Sequence, residues 1–298
     1  MVNLHKLLPC VEMKKLLKKL LAIALLIVAF ILYYVFVNLP SRGGIDPEED
    51  PSTIDTPIPA TSPVALADLM EIPALTSEGR IVQHGAYVSS YNTETLIPNW
   101  VAYELTAEET GGSHTRDGME FRMDPDLKGC TQAMREDYSG SGWSKGHLMP
   151  AADAAFSNST MSETFYFTNI CPQNETLNAG DWQYLEKRVR NWANRYGSVW
   201  VVTGPIVGEN RYGTIGDRDV VVPDSFYKAL LIRKKNGSYS AIAFVMDNDE
   251  DRYYLKDCSM SIDELESLTG FDFFPALDDK IEGKALLCLK VYFCKKKA

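Results

Sequence analysis

Apolar positions along this chain fall into three regimes. Leu20 to Val37 is an unbroken apolar run, residues 38–66 hold few large apolar side chains, and the remainder shows short alternating or periodic segments. In that remainder, residues 81–91 mix β-branched and aromatic side chains as a strand does, and Pro98-Asn99 marks a turn before a second alternating strand, Trp100 to Thr106. Residues 107–142 are polar and glycine-containing, with Arg116 and Arg122 bracketing Phe121, and Thr164 to Thr168 reads as a further strand. Leu177, Trp182, Leu185, Val189, Trp192 and Tyr196 recur at three- and four-residue steps, predicting a helix over 177–196 that Gly197 ends. Strands are expected at 198–202, 226–232, 239–245 and 284–294. Ser261 and Glu264 form a capping-box pattern for a short helix closing at Gly270, followed by core residues Phe271, Phe273 and Phe274.

The apolar run near the N-terminus is preceded by Lys14, Lys15, Lys18 and Lys19. Eighteen helical residues span about 27 Å, close to the thickness of a bilayer's hydrocarbon core. The positive flank then keeps residues 1–19 cytoplasmic, makes 20–37 a transmembrane signal-anchor and exports the rest. A cleaved signal peptide and a secreted product is the second reading. Residues 38–66, rich in Pro, Asp, Glu, Ser and Thr, read as a flexible charged linker. The folded domain is expected over 67–298, long enough for one sizeable core or two small ones.

Charge narrows the function classes. The net charge is −10, and residues 67–298 carry −10 by themselves, which argues against a protein that coats nucleic acid electrostatically. A polyanionic substrate must be drawn by a local basic patch or a divalent cation. The six cysteines include no CxxC pair and the four histidines are widely spaced, so a structural zinc site is not expected. In an extracytoplasmic setting one or two disulfides would be expected.

The segment Trp143 to Asp153 is the one around which the domain is organised. It sets His147 directly after Gly146 and breaks the backbone at Pro150, so it reads as a strand end and a turn that presents an imidazole. Asn178 and Glu186 are eight residues apart in the expected helix, about 12 Å of rise and roughly 80° of rotation, and share a broad side of it. A carboxamide oxygen is a hard, neutral ligand for Mg²⁺, and a nearby carboxylate can orient metal-bound water. The plainer readings are that Asn178 caps a helix, that Glu186 is a solvated helical glutamate, and that Arg116 and Lys145 are surface charges. His84 and His114 read as structural or exposed, Trp182 and Trp192 as core, and Asp153 as either an orienter of the loop or a turn residue.

Tyr138 to His147 resembles the region around the D-R-G-H motif of the DNA/RNA non-specific endonucleases, the ββα-metal nucleases. The likeness continues through Thr168 to Gln173, Leu177-Asn178, Trp182 and Leu185-Glu186. Upstream it takes in Asn99 to Leu105, Arg116 and Phe121-Arg122, and downstream Val202 to Pro205. It covers most of residues 80–275. The resemblance implies an α+β, ββα-metal nuclease fold with a central, mainly antiparallel sheet flanked by helices. It implies a metal-dependent endonuclease hydrolysing phosphodiester bonds of DNA and/or RNA without strong sequence specificity.

By position it makes His147 the general base and Asn178 the direct ligand of one Mg²⁺ or Mn²⁺. Glu186 becomes the holder of metal-bound water, Arg116 the group that neutralises the scissile phosphate with Lys145 assisting, and Asn169 a supporting residue. The chain departs from the family at Ser144-Lys145, where Asp-Arg is usual. Lysine keeps the charge but loses the planar fork. Set against this reading is a non-catalytic extracytoplasmic binding domain on a nuclease-like scaffold, which the acidity and the altered pair would suit.

Overall fold

The computed structural model describes residues 70–74, 79–234 and 236–275. The 20–37 segment, the 38–66 linker and the strand expected at 284–294 lie outside the described residues. In chain order the elements are β1 (Arg80–Gln83), β2 (Val88–Asn92), β3 (Ile97–Thr106), β4 (Ser144–His147), α1 (Asn158–Glu163) and β5 (Ile170–Gln173). A single helical turn, α2 (Glu175–Leu177), then runs through a π turn (Asn178–Trp182) into α3 (Gln183–Tyr196). There follow β6 (Ser198–Ile206), β7 (Thr214–Ile215), β8 (Val220–Val221), β9 (Ser225–Arg233), β10 (Tyr239–Asp247), β11 (Ser259–Met260) and α4 (Ile262–Thr269).

Seven strands form one sheet in the order β1-β2-β3-β6-β9-β10-β11, and every neighbouring pair is antiparallel. The expected mixed fold with a large antiparallel sheet is therefore observed. Successive side chains of a strand point to opposite faces, and here both faces are covered. Val101, Tyr103, Val201, Leu230 and Phe244 pack with Leu185, Val189 and Trp192 of α3. Trp100, Ala102, Val202, Leu231 and Ala243 pack with Ile262 and Leu265 of α4 and with Phe273 and Phe274. Each Val, Leu, Ile or Phe among them contributes on the order of 1.5–3 kcal/mol by leaving water. Two-sided burial is why these strands read as nearly continuous apolar runs.

The short helix α4 has the expected reciprocal cap. Ser261 Oγ accepts from the Glu264 amide at 3.1 Å while the Glu264 carboxylate accepts from the Ser261 amide at 2.7 Å, and Gly270 ends the helix at φ +74°. Elsewhere the chain departs from the pattern. The strand expected over 81–91 is a hairpin, because His84 N donates to Tyr87 O and closes a turn between β1 and β2. The expected turn at Pro98-Asn99 lies inside β3. A register shift at Ser90/Tyr91 places Pro98 opposite Tyr91 and Trp100 opposite Ser90, so the proline's missing donor falls at a bulge. The turn itself sits earlier, where Asn92 Oδ1 accepts from the amides of Glu94 and Thr95.

Thr164–Thr168 is not a strand. Asn169 Nδ2 takes up the Thr164 carbonyl and a 3-10 turn forms over Phe167–Asn169, with one bridge between Arg122 and Tyr166. Among the described residues no helix is long and apolar enough to cross a membrane. Cys130, Cys171 and Cys258 are free thiols, and the other three cysteines lie outside the described residues.

Candidate active site

β4 pairs antiparallel with β5, opposing Gly146 to Cys171 and His147 to Ile170. The glycine is required by close approach: a Cβ at position 146 would lie 2.2 Å from Gln173 Oε1 and 2.5 Å from its Cβ. After His147 the chain leaves the ribbon and is held by Asn169. Its Oδ1 accepts from Met149 N at 2.8 Å and its Nδ2 donates to Met149 O at 2.9 Å, while Leu148 N donates to Asn169 O. The buried Asn169 is thus a clamp on the loop that carries the histidine.

The imidazole of His147 rests against two aromatic rings, Phe165 at 5.0 Å and Phe121 at 5.4 Å. Its Nε2 is shielded from solvent and has no hydrogen-bond partner among the described residues. Burial, and then the nearby Arg116 guanidinium, hold its pKa down to about 3. The ring is therefore neutral throughout the physiological range, whereas an unperturbed histidine would be partly charged. Arg116 lies over the Phe165 ring at 5.4 Å. Lys145 lies 5.5 Å from the Phe121 ring and 5.4 Å from that of Tyr138, and burial followed by Arg135 lowers its pKa. These three residues share one aromatic wall. Ser144, at the position of the departure, donates its hydroxyl to the Glu175 carboxylate on α2.

Asn178 and Glu186 are not on one regular helix. The N-cap is Asn174, whose side chain accepts from the amides of Thr176 and Leu177, so Asn178 does not serve as one. Asn178 opens the π turn, in which Gly180 takes the non-helical φ −108°, ψ −107°. The uniform rotation expected between the two positions is therefore interrupted. The Asn178 side chain is half-buried and makes no hydrogen bond to a described residue. Its oxygen is a hard donor with no hydrogen-bond partner among the described residues, which fits an oxygen-preferring divalent cation. π turns recur at functional positions.

Glu186 faces inward. Burial pushes its carboxyl up to about 7, against the pull of Lys228 and Arg190 and with the push of Asp153. Asp153 is buried, accepts from Tyr103 OH at 2.9 Å and pairs with Arg190 Nη1 at 2.5 Å. It closes the 3-10 turn Ala151–Asp153, its amide donating to Pro150 O, and its carboxylate is held by both partners. Lys228, which the sequence reading passed over, completes the group: it is fully buried and donates from Nζ to Leu148 O at 3.3 Å. Its signal was present as a single lysine in the apolar run Phe226–Ile232.

The structure thus gathers His147, Arg116 and Lys145 on one wall and ties the histidine loop to Lys228, whose charge acts on Glu186. Asn178 stands on its own turn. A separate group, His84, Asp124 and Asp126, brings ligand atoms within 4.8 Å of one another. Asp124 is already engaged by His84 Nε2 at 2.7 Å, Thr168 Oγ1 at 2.6 Å and the Asp126 amide. Burial raises its pKa, but those bonds outweigh burial and hold it low. This set is better suited to pinning the β1–β2 hairpin than to receiving an ion. A cleft of about 620 Å³ lined by Gly180, Asp181, Tyr184 and Arg252 to Lys256 adjoins the π turn but includes none of the candidate residues. Size alone does not locate the chemistry.

Residues 67–280 match the family model for DNA/RNA non-specific endonucleases. The chain is similar to the mitochondrial nuclease EXOG of Xenopus laevis, 37% identical over 69% of this chain and 61% of that protein. It is also similar to human EXOG, at 34% over 72% and 61%, so it spans about three fifths of these relatives. Human mitochondrial endonuclease G is 32% identical over 64% of this chain and 68% of its own length. Among solved structures, a crystal structure of an EndoG/EndoGI complex, titled for the mechanism of EndoG inhibition, superposes with a TM-score of 0.66. Its identity is 26%, covering 74% of this chain and 96% of that one.

The expectation of a single-pass membrane protein with an exported domain, or of a secreted product, is corrected by these findings. The relatives are named as mitochondrial nucleases, and no described helix could span a bilayer. An unbroken apolar run with a basic flank resembles a signal-anchor by composition alone, and that segment lies outside the described residues. From residue 67 to residue 280, with the Gly-His ribbon and kinked helix in place, this chain belongs to the DNA/RNA non-specific endonuclease family.

Proposed function

We propose that this chain is a metal-dependent endonuclease that hydrolyses phosphodiester bonds of DNA and/or RNA without strong sequence preference. Residues 67–298 are the catalytic domain in this reading, behind a 38–66 linker, and β4, β5 and the kinked helix are its ββα-metal element. One observation carries it: His147 Nε2 is shielded from solvent, has no hydrogen-bond partner among the described residues and shares its aromatic wall with the Arg116 guanidinium. A neutral imidazole nitrogen is a proton acceptor, and it can take the proton from a water attacking phosphorus. Arg116 neutralises charge on the phosphate oxygens as it builds, and Lys145 adds a second cation on the same wall. Asn178 holds one Mg²⁺ or Mn²⁺ through its side-chain oxygen, and Glu186 orients water beside it. When bound, the ion supplies Lewis-acid stabilisation of the leaving 3′ oxygen. Asn169 keeps the His147 loop in register through both backbone atoms of Met149.

The test is cleavage of supercoiled plasmid and of RNA by the purified chain with Mg²⁺, with Mn²⁺ and with EDTA. Nicking that appears with the metal and is abolished by the chelator is expected. Intact DNA and RNA under every metal would return the chain to a binding domain on a nuclease scaffold.

A further inference from the structure

Lysine is among the residues least often fully buried, because its ammonium loses water that the protein must replace. Lys228 has 0% exposure in the middle of β9, between Phe226 and Leu230 on the face toward α3. Three sets of neighbours replace its water. Nζ donates to the carbonyl of Leu148, the residue after His147, at 3.3 Å. The same atom lies 4.8 Å from the centre of the Trp182 ring, the last residue of the turn that Asn178 opens. The charges of Glu186 and Asp153 act on it favourably and that of Arg190 unfavourably. One buried cation therefore touches the segments that carry His147 and Asn178, and its charge acts on Glu186. The charges balance: Lys228 and Arg190 against Glu186 and Asp153.

We propose that Lys228 is a positioning residue for phosphodiester cleavage. It ties the His147 loop and the Asn178 turn to the sheet and supplies the counter-charge for Glu186. Burial holds the lysine down to about 8 and the glutamate up to about 7, and the charge of each opposes the shift of the other. A methionine would fill the space without the donor or the charge. The inference rests on the nuclease reading above.

The experiment uses the full chain as wild type, Lys228→Met, Lys228→Arg, Glu186→Gln and the double variant Lys228→Met/Glu186→Gln. Plasmid cleavage gives kcat and KM, calorimetric titration gives Mg²⁺ binding without reference to activity, and thermal melts establish folding. Lys228→Met is expected to lose about 10–100-fold in kcat with KM within about twofold, and to bind Mg²⁺ about 10-fold more weakly. The double variant should be no slower than the slower single variant, because the two residues act together.

Folded Lys228→Met with wild-type kcat and Mg²⁺ affinity would overturn the proposal, as would losses that multiply in the double variant or a change confined to KM. If Lys228→Met does not fold, Lys228→Arg and Lys228→Gln decide. Arginine, keeping charge and donor, should stay within about 10-fold of wild type while glutamine does not. Equal loss in both would sink the proposal. A wild-type chain that neither cleaves nor binds Mg²⁺ would instead remove the nuclease reading itself, so the two failures are distinguishable.

Discussion

On the side packed against α4, strands β3, β6, β9 and β10 present Trp100, Ala102, Val202, Tyr227, Ala229, Leu231, Ala241 and Ala243. Among the described residues no charged side chain of these strands is buried there. On the side toward α3 the same strands present Tyr103 and Lys228 among apolar neighbours, and they meet Asp153, Glu186 and Arg190. The two sides share a backbone, a register and a similar apolar content. They differ in what desolvation is used for. One side is stabilised by area alone. The other accepts buried charge, which is destabilising unless paired, and the charges kept there are those that link the histidine loop to the kinked helix.

That contrast sets the order of tests. The largest effect belongs to His147→Ala. Its metal-dependent plasmid cleavage should fall about 10²–10⁴-fold, the contribution of a positioned general base, with a melting temperature near that of wild type. Undiminished cleavage would place the chemistry elsewhere. On the α4 side, Leu231→Ala should cost about 2–5 kcal/mol in urea unfolding, with kcat per folded molecule unchanged. A matching loss of kcat would mean that the two sides are not functionally separate.

A smaller effect is read against pH. The unfolded chain binds a proton at His147 near pH 6.5, and the folded chain does so only near 3. Between those values the unfolded state holds more protons. This group's contribution is therefore complete above pH 6.5 and lost as pH falls, by at most about 1.4 kcal/mol per pH unit. Glu186, raised to about 7, works in the opposite sense, gaining stability as pH falls from 7 toward the ordinary carboxylate range. The useful quantity is thus the difference between wild type and His147→Ala in urea midpoints at pH 7.5 and 5.5. Wild type should lose more on acidification, and parallel losses would remove the inference of a buried neutral ring. The smallest effect is Ser261→Ala, which removes the cap of α4 and should cost about 1 kcal/mol with no change in cleavage.

The sheet's centre was legible because β6, β9 and β10 each hold a mostly apolar run rich in β-branched, aromatic and other large side chains. The helix α4 was legible because Ser261, Glu264 and Gly270 stand at the spacing a capped helix needs. The hairpin at His84 to Tyr87 and the 3-10 turn at Phe167 were not. Both are fixed by bonds from far along the chain, Gly85 N to Glu163 and Met149 to Asn169, which no local pattern announces. In the site, the order of His147, Asn178 and Glu186 could be read, but their state could not. The low pKa of His147 comes from Phe121, Phe165 and Arg116 converging on it, and the interrupted helix hides in a segment whose apolar spacing looks regular. Lys228 was the one missed residue whose own letter was out of place in its run.

The π turn between Asn178 and Trp182 has a consequence for how such a chain can be altered. A widened turn holds one residue more than the α turn it replaces and absorbs it locally. Deleting a single residue within it would let the helix close smoothly. What would be lost is the break at Gly180 that sets Asn178 apart from Leu185, Val189 and Trp192, which stay packed in the core.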